Sequence, residues 1–328
     1  MANTYNVLGI GNAIVDVLTH VDDDFLKKKN LDKGGMMLVS DKEAAAIYDH
    51  LGQGIECSGG SAANTIAGLA AMGSKTSFIG KIKDDRIGRV FQHDIRAQGA
   101  NFDTPTLVDG PPTAHCLVLV TPDAERTMCT YLGACVELSE NDINEETVRN
   151  SSVTYLEGYL WDPDAAKNAF RKAIKIAHEA GNKVALSLSD SFCVDRHHQE
   201  FVDLVKNDVD ILFANEDEIK KLYNIDDLNA AALQLQQDCD IGAITCGAQG
   251  CIVTNADEIG HVQGRKIAKI VDTTGAGDSF AAGFLHAYTY GRSIGECGVL
   301  GNLLASEVVT HMGARPNIDL KRFIAENG

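Results

Sequence analysis

From Val153 onward the chain alternates between two hydrophobic textures, and this alternation restricts its possible folds more than any other feature. Short apolar runs at 153–156, 183–188, 209–213 and 241–245 read as strands. Between them, segments 165–180, 199–205, 217–223 and 226–238 read as helices; in the first, Ala166, Phe170, Ala173 and Ala177 share one face. Such alternation implies parallel strands with right-handed crossovers and helices on both faces of the sheet. We therefore expect a doubly wound α/β fold with a mostly parallel sheet, whose ligands sit at the carboxyl ends of the strands.

The first half fits this frame with one interruption. Residues 5–9 read as an opening buried strand, and 14–20 as a second, alternating and β-branched one. Helices are expected at 41–51, at 61–72 and at 85–98, where Ile87, Phe91 and Ile95 are spaced by four; Gly73 and Gly99 close the last two. Residues 33–39 look like a hairpin edge. Between 104 and 133 short β-rich pieces are separated by Gly110-Pro111-Pro112 and Pro122-Asp123, which reads as a meander. No internal repeat, low-complexity tract or linker is present, so the β-rich pieces are insertions in one domain. The expected division is a core of 1–16, 41–103 and 134–328 with a small sheet from 17–40 and 104–133.

Composition excludes several function classes. Lys+Arg 29 against Asp+Glu 46 gives a net charge of −17 over 328 residues, a surface that repels nucleic-acid phosphate and anionic membrane. The nine cysteines are scattered with no CxxC pair, against a disulfide framework or zinc knuckle and in favour of reduced, buried thiols. The N-terminal stretch has no basic start, and no apolar run approaches ~18 residues. The expectation is a cytoplasmic protein. His197 and His198 near Glu200 lie on a polar helix and make a poor metal site.

Val271-Asp272-Thr273-Thr274-Gly275-Ala276-Gly277-Asp278 carries the chemistry. A strand is expected to end near Val271, with a helix starting after the small residues Gly275, Ala276 and Gly277. Amides exposed at a helix N-terminus form an anion site at the positive end of the dipole. Asp278 in that first turn either helps to cap the helix or acts as a base beside the anion, an arrangement that suits phosphoryl transfer. Two nucleotide motifs are only grazed. Gly9-Ile10-Gly11 lacks the third glycine of GxGxxG, where Ile14 stands and a strand follows, which argues against an oxidoreductase. Gly68 to Thr76 approaches a Walker A loop, but Ser74 separates Gly73 from Lys75 and no strand precedes it.

Asp272-Thr-Thr-Gly-Ala-Gly-Asp278 and Gly59-Gly60-Ser61-Ala62-Ala63-Asn64 resemble the two signatures of the ribokinase-like (PfkB) family of sugar and nucleoside kinases, in that family's order. The resemblance covers essentially the whole chain. It implies an ATP-dependent phosphotransferase in which Asp278 is the base and Gly275, Ala276 and Gly277 hold the migrating phosphoryl. It makes the β-rich pieces a lid over the acceptor, and places Asp16, Asn12, Gly59, Gly60 and Asn64 on the acceptor's hydroxyls. Asp16 read alone could equally stabilise a turn, and the glycines at 59 and 60 could merely start a helix.

On the ATP side the resemblance implies Asn215, Thr245, Gly247, Gly250 and Asn302, with Glu218 organising Mg2+ through water; Asn215 and Glu218 would also be favourable as plain helix-start residues. Asp272 and Thr274, with the turn at 313–315, resemble a loop pair that holds a monovalent cation such as K+. Arg126 either approaches the phosphates or forms a surface ion pair. Gly11-Asn12 with Asp16 and Gly59-Gly60-Ser61 are most similar to adenosine kinases, so adenosine is the favoured acceptor. A ribokinase- or fructokinase-type sugar acceptor is the alternative, and a non-catalytic nucleotide-binding protein is disfavoured by Asp278. Exposed strand edges on the lid invite a homodimer.

Overall fold

The computed structural model describes residues 3–123 and 125–327. The chain enters through β1 (Tyr5–Ile10) and crosses directly into β2 (Ile14–His20). Helix α1 (Asp23–Lys29), strand β3 (Met36–Leu38), helix α2 (Asp41–Tyr48) and strand β4 (Ile55–Gly59) follow. Then come α3 (Ser61–Ala71), β5 (Thr76–Ile79), α4 (Arg86–Ala97) and the hairpin of β6 (His115–Val120) and β7 (Arg126–Tyr131). Past α5 (Glu145–Arg149) the expected alternation begins: β8 (Ser151–Glu157), α6 (Asp164–Glu179) and β9 (Lys183–Ser187). It continues through α7 (Ser191–Arg196), α8 (His198–Asn207), β10 (Ile211–Asn215), α9 (Glu216–Tyr223), α10 (Leu228–Asp238) and β11 (Ile241–Thr245). Strands β12 (Gly250–Thr254) and β13 (Ile259–Gln263) precede the closing helices α11 (Ala276–Thr289), α12 (Ile294–Val308) and α13 (Leu320–Asn327).

These strands make two sheets. The larger has eight strands in the order β13-β12-β11-β10-β9-β8-β1-β5. Its stretch from β11 to β5 is wholly parallel, and β12 and β13 add antiparallel strands at one edge. Side chains that alternate along a strand bury on opposite faces. Thus Val7, Val153 and Ile211 join Ile66, Phe280 and Phe284 under α3 and α11. Their neighbours Leu8, Leu156 and Leu212 join Phe170, Phe201 and Leu235 under α6, α8 and α10. Phe213 meets Phe280 and Phe284 edge to face, at centroid distances of 6.4 and 5.3 Å. Each fully buried side chain of this size contributes about 1.5–3 kcal/mol of transfer free energy, which holds both helical layers on the sheet.

The smaller sheet, of five strands, has the order β3-β7-β6-β2-β4. Here the sequence boundaries need correcting. Segment 41–59, assigned to the core, belongs with this sheet: β4 pairs antiparallel with β2, and Ile47 packs with Val17, Leu117 and Leu119 beneath it. Segment 104–114 goes the other way, because the Leu107 N–H donates to Ile82 O and the Gly80 N–H to Thr104 Oγ1 on the core side. Residues 106–108 form no strand, only an isolated bridge between Lys83 and Leu107. Nor is β3 half of a hairpin, since it pairs parallel with β7.

One further expectation fails. No strand ends at Val271; that stretch is irregular, with the Val271 and Asp272 N–H groups both donating to Val309 O. The glycine turn is therefore anchored on the loop after α12 and not on the sheet.

Candidate active site

The carboxyl ends of β1, β8, β9, β10 and β11 open into a cavity of ≈ 710 Å³ roofed by the small sheet. Its floor is made where two helix N-termini meet. Gly275, at the N-cap of α11, has φ 76°, and an added Cβ would lie 2.6 Å from Ala314 Cα. Only glycine adopts that turn against that neighbour without strain. No side chain caps α11. Ala276 N–H donates to Thr273 O, so this amide is already engaged, while those of Gly277 and Asp278 meet no acceptor among the described residues.

Helix α3 starts in the same way at Gly60, φ 95°, where a Cβ would collide with Asn12 O. Its small residues allow α11 to come close: a Cβ on Gly68 would lie 3.0 Å from Ala282 Cβ. This close approach brings Ser61 and Asn64 to Asp278. Ser61 Oγ donates to Asp278 Oδ1 at 2.6 Å, and Asn64 Nδ2 donates to Oδ2 at 3.0 Å. Both carboxylate oxygens thus face α3, not the amides of their own helix, so Asp278 is not the cap of α11. Burial pushes its pKa up to about 6 against the opposing pull of the Ser61 and Asn64 hydrogen bonds and of Arg315.

Asp16 projects from β2 of the roof towards that floor, its carboxylate pressed against Gly59, where any Cβ would collide with it. Burial raises its pKa to about 6, opposed by Arg315 and Arg126 and aided by the charge of Asp278. Asn12 is held by a residue the sequence reading missed. Glu157, at the end of β8, accepts from Asn12 Nδ2 at 2.6 Å and from the Ala62 N–H at 2.8 Å, and so caps α3. Burial raises the Glu157 pKa to about 7. The only sequence signal for it was an acidic residue closing an apolar strand.

On the other side of the floor, Asn215, Glu218 and Thr245 line the cavity. Asn215 and Glu218 form a complete capping box on α9, with Asn215 Nδ2 donating to Glu218 Oε1 at 2.6 Å. Helix capping is therefore a role they fill in full. Burial still lifts the Glu218 pKa to about 7, a carboxylate that an adjacent cation would stabilise. Gly247, Gly250 and Asn302 are not among the residues lining the cavity. Gly250, φ 99°, backs onto Val262 O, and Asn302 Nδ2 donates to the carbonyls of Val262 and Gln263 at the end of β13.

Asp272 and Thr274 are together, with an occupant of their own. Asp272 accepts from the Thr274 N–H at 3.0 Å, the Gly313 N–H at 2.8 Å and Arg126 Nη2 at 2.6 Å. Arg126 Nη1 also donates to Thr274 Oγ1 at 3.2 Å. This ion pair is buried (side-chain exposure 11% and 4%), not the surface pair that was the alternative, and it ties β7 of the small sheet to the glycine turn. No group of three or more His, Cys, Asp or Glu residues suited to a metal occurs among the described residues. His197 instead bonds to Asp162, and Glu200 to Trp161 and Lys167.

Residues 39–321 match the model of the pfkB family carbohydrate kinases. An adenosine kinase from Sinorhizobium meliloti, known from its crystal structure, is 47% identical, with 99% of each chain covered and a TM-score of 0.93. A probable sugar kinase from Rhizobium etli CFN 42 is 44% identical over 99% of this chain and 98% of that one, also at 0.93. A 5-dehydro-2-deoxygluconokinase from Lacticaseibacillus casei is 29% identical over 80% of this chain and 84% of its own.

Proposed function

The chain belongs to the pfkB family of carbohydrate kinases, and we propose that its acceptor is a nucleoside, adenosine foremost, phosphorylated on the primary hydroxyl by ATP. The observation that carries this reading is the apolar wall beside Asp16, most of it on the same small sheet. Ile14, Met36, Leu38, Cys116, Met128 and Leu132 line that side of the cavity, with Met36 46% and Leu38 56% exposed. A free sugar is ringed with hydroxyls and gains far less from thioether and aliphatic walls than a purine does. A purine extending from a ribose held by Asp16 and Asn12 would bury its faces there. The 47% identity to an adenosine kinase supports the same choice.

In this reading Asp278 orients the acceptor hydroxyl and takes its proton as the new O–P bond forms and the bond to the leaving ADP breaks. Each carboxylate oxygen has a second lone pair beyond the one engaged by Ser61 or Asn64. The amides of Gly277 and Asp278, at the positive end of α11, stabilise charge on the moving phosphoryl. Asn215 and Glu218 offer oxygen donors suited to Mg2+ through water, which when bound would offset negative charge on the ATP phosphates. Arg126 already matches the Asp272 carboxylate, which leaves less for a monovalent cation such as K+ to neutralise there.

A panel of adenosine, other nucleosides, ribose, fructose and ketodeoxygluconate with ATP, read as product phosphate, tests the acceptor. Adenosine should give the highest kcat/KM. Leu38→Asp should lower kcat/KM for adenosine about 10–200-fold, the range for losing one apolar contact in a binding pocket, while a free sugar is little affected. Preference for fructose or ketodeoxygluconate would favour the sugar-kinase reading instead.

The small sheet, as a lid, should close with the acceptor, since only that ligand bridges Asp16 on the roof and Asp278 on the floor. Hydrogen exchange in 17–40 and 115–131 should slow on adding adenosine and change little with ATP alone. Arg126→Gln should speed exchange in both segments by removing the tie to Asp272. Equal protection by ATP alone would overturn the lid assignment.

A further inference from the structure

We propose that Arg315 is a positioning residue for the transfer: its guanidinium locks the Asn64 amide that holds Asp278 and supplies the positive charge shared by Asp16 and Asp278. The two carboxylates take their roles from the proposed kinase reading, and the inference adds the group that organises them.

Arg315 lies in the turn after α12, which is fastened to the glycine loop from behind. The Gly313 N–H donates to Asp272 Oδ2 at 2.8 Å, and Ala314 fills the space that a side chain on Gly275 would need. From there the side chain reaches across to two other elements. Its Nε donates to Asn64 Oδ1 on α3 at 3.0 Å, and its Nη1 to Ser58 Oγ on β4 at 2.5 Å. The Nη2 atom is buried with no hydrogen-bond partner among the described residues, so the fork is held on two of its three nitrogens.

The contact with Asn64 decides what that amide can do. With Oδ1 accepting from Arg315, only Nδ2 is free to face Asp278, and it donates to Oδ2. A flipped Asn64 would set NH2 against guanidinium and carbonyl against carboxylate, two repulsive contacts in place of two hydrogen bonds. Arg315 therefore orients Asp278 through Asn64. Through Ser58 it also holds β4 where Cys57 pairs with Asp16 across the small sheet.

The charge matters because its surroundings are mostly acidic or neutral. Asp278 faces Ser61 and Asn64 of α3, Tyr155 and Glu157 of β8, Asp16 of β2 and Arg315. Asp16 faces Cys57 of β4 and Cys116 of β6, both thiols raised by burial, with Arg126 of β7, Asp278 and Arg315. Among the described residues, Arg315 is the one cation that lowers the pKa of both carboxylates. Without it each should bind its proton more tightly, and the ionised base would appear only at higher pH.

Arg315→Gln, Arg315→Ala and Arg315→Lys in the full chain separate orientation from charge. In the ligand-free protein, carboxyl titrations of Asp16 and Asp278 by carbon NMR should move up by about one to two units in the Gln and Ala variants. The acid limb of kcat/KM, measured with whichever acceptor the wild type uses, should move the same way, and added guanidinium should restore part of the Ala variant's rate. Arg315→Lys should keep the limb near wild type yet lose about tenfold in kcat/KM, because an ammonium cannot span Asn64 and Ser58 as a fork does. Unchanged titrations and pH profile, with activity lost only in step with thermal stability, would overturn the proposal. Should the neutral variants not fold, wild-type kcat/KM in Arg315→Lys overturns the orienting role by itself. A wild type that phosphorylates no nucleoside or sugar would refute the proposed reaction while leaving the ligand-free titrations to decide on Arg315.

Discussion

Asp278→Asn is expected to lower kcat by about 10²–10⁴ with little change in thermal stability. The surroundings of the side chain make this a clean substitution. The new amide can turn its oxygen to Asn64 Nδ2 and its NH2 to Ser61 Oγ, a hydroxyl able to accept as well as donate. Both contacts survive, no cavity opens, and α11 loses no cap because Gly275 is its N-cap. Only basicity is removed.

The pH profile gives a second signature. The Asp278 pKa is raised to about 6, so the carboxylate is ionised above that value and protonated below it. A protonated carboxyl cannot take the acceptor's proton, so kcat/KM of the wild type, which reports the free enzyme, should fall as pH drops through about 6 and stay level above. The Asn variant should lose that limb. Turnover within a few-fold of wild type, or an unchanged acid limb in the variant, would remove Asp278 from the role of base.

What the sequence revealed and what it hid divide along a physical line. The alternation after Val153 was legible because each strand is buried on both faces and each helix on one, so apolar spacing records the architecture directly. The glycines at 60 and 275 were legible because a positive φ beside a neighbouring backbone leaves few other residues possible. Strand β4 was not, because the short Ile-Glu-Cys-Ser-Gly does not bury by its polarity: Ile55 is exposed and Ser58 buried. Its place is set by pairing with β2 across the sheet. The supposed strand at Val271 failed for the converse reason. An apolar, β-branched residue marks burial, and there the partner is the loop after α12.

Roles carried by long-range contacts were the hardest to see. Glu157 and Arg315 stand far in sequence from Asn12, Ala62 and Asn64, and no local spacing links them. Asn302 shows the same limit: no local spacing foretells that its amide donates to two carbonyls at the end of β13.

Asp16→Ala should lower kcat/KM for adenosine by about 10²–10³, with most of the loss in the acceptor KM and the KM for ATP within about twofold of wild type. The carboxylate lines the cavity with no protein hydrogen bond among the described residues, so it is available to accept from both members of a vicinal diol. Hydrogen bonds to a charged group contribute about 1.5–3 kcal/mol each, which sets the scale. Because the interaction exists before and during transfer, its removal weakens ground state and transition state alike and appears in KM. A second effect separates this role from a structural one. The charge of Asp278 raises the proton affinity of Asp16, and because repulsion between two carboxylates is reciprocal, deleting Asp16 should let the acid limb of kcat/KM move below about 6. Wild-type enzyme should also prefer adenosine over 2′-deoxyadenosine, which offers Asp16 one hydroxyl in place of two. Equal use of the two nucleosides, or an equal rise in KM for adenosine and ATP in the variant, would show that Asp16 does not hold the diol.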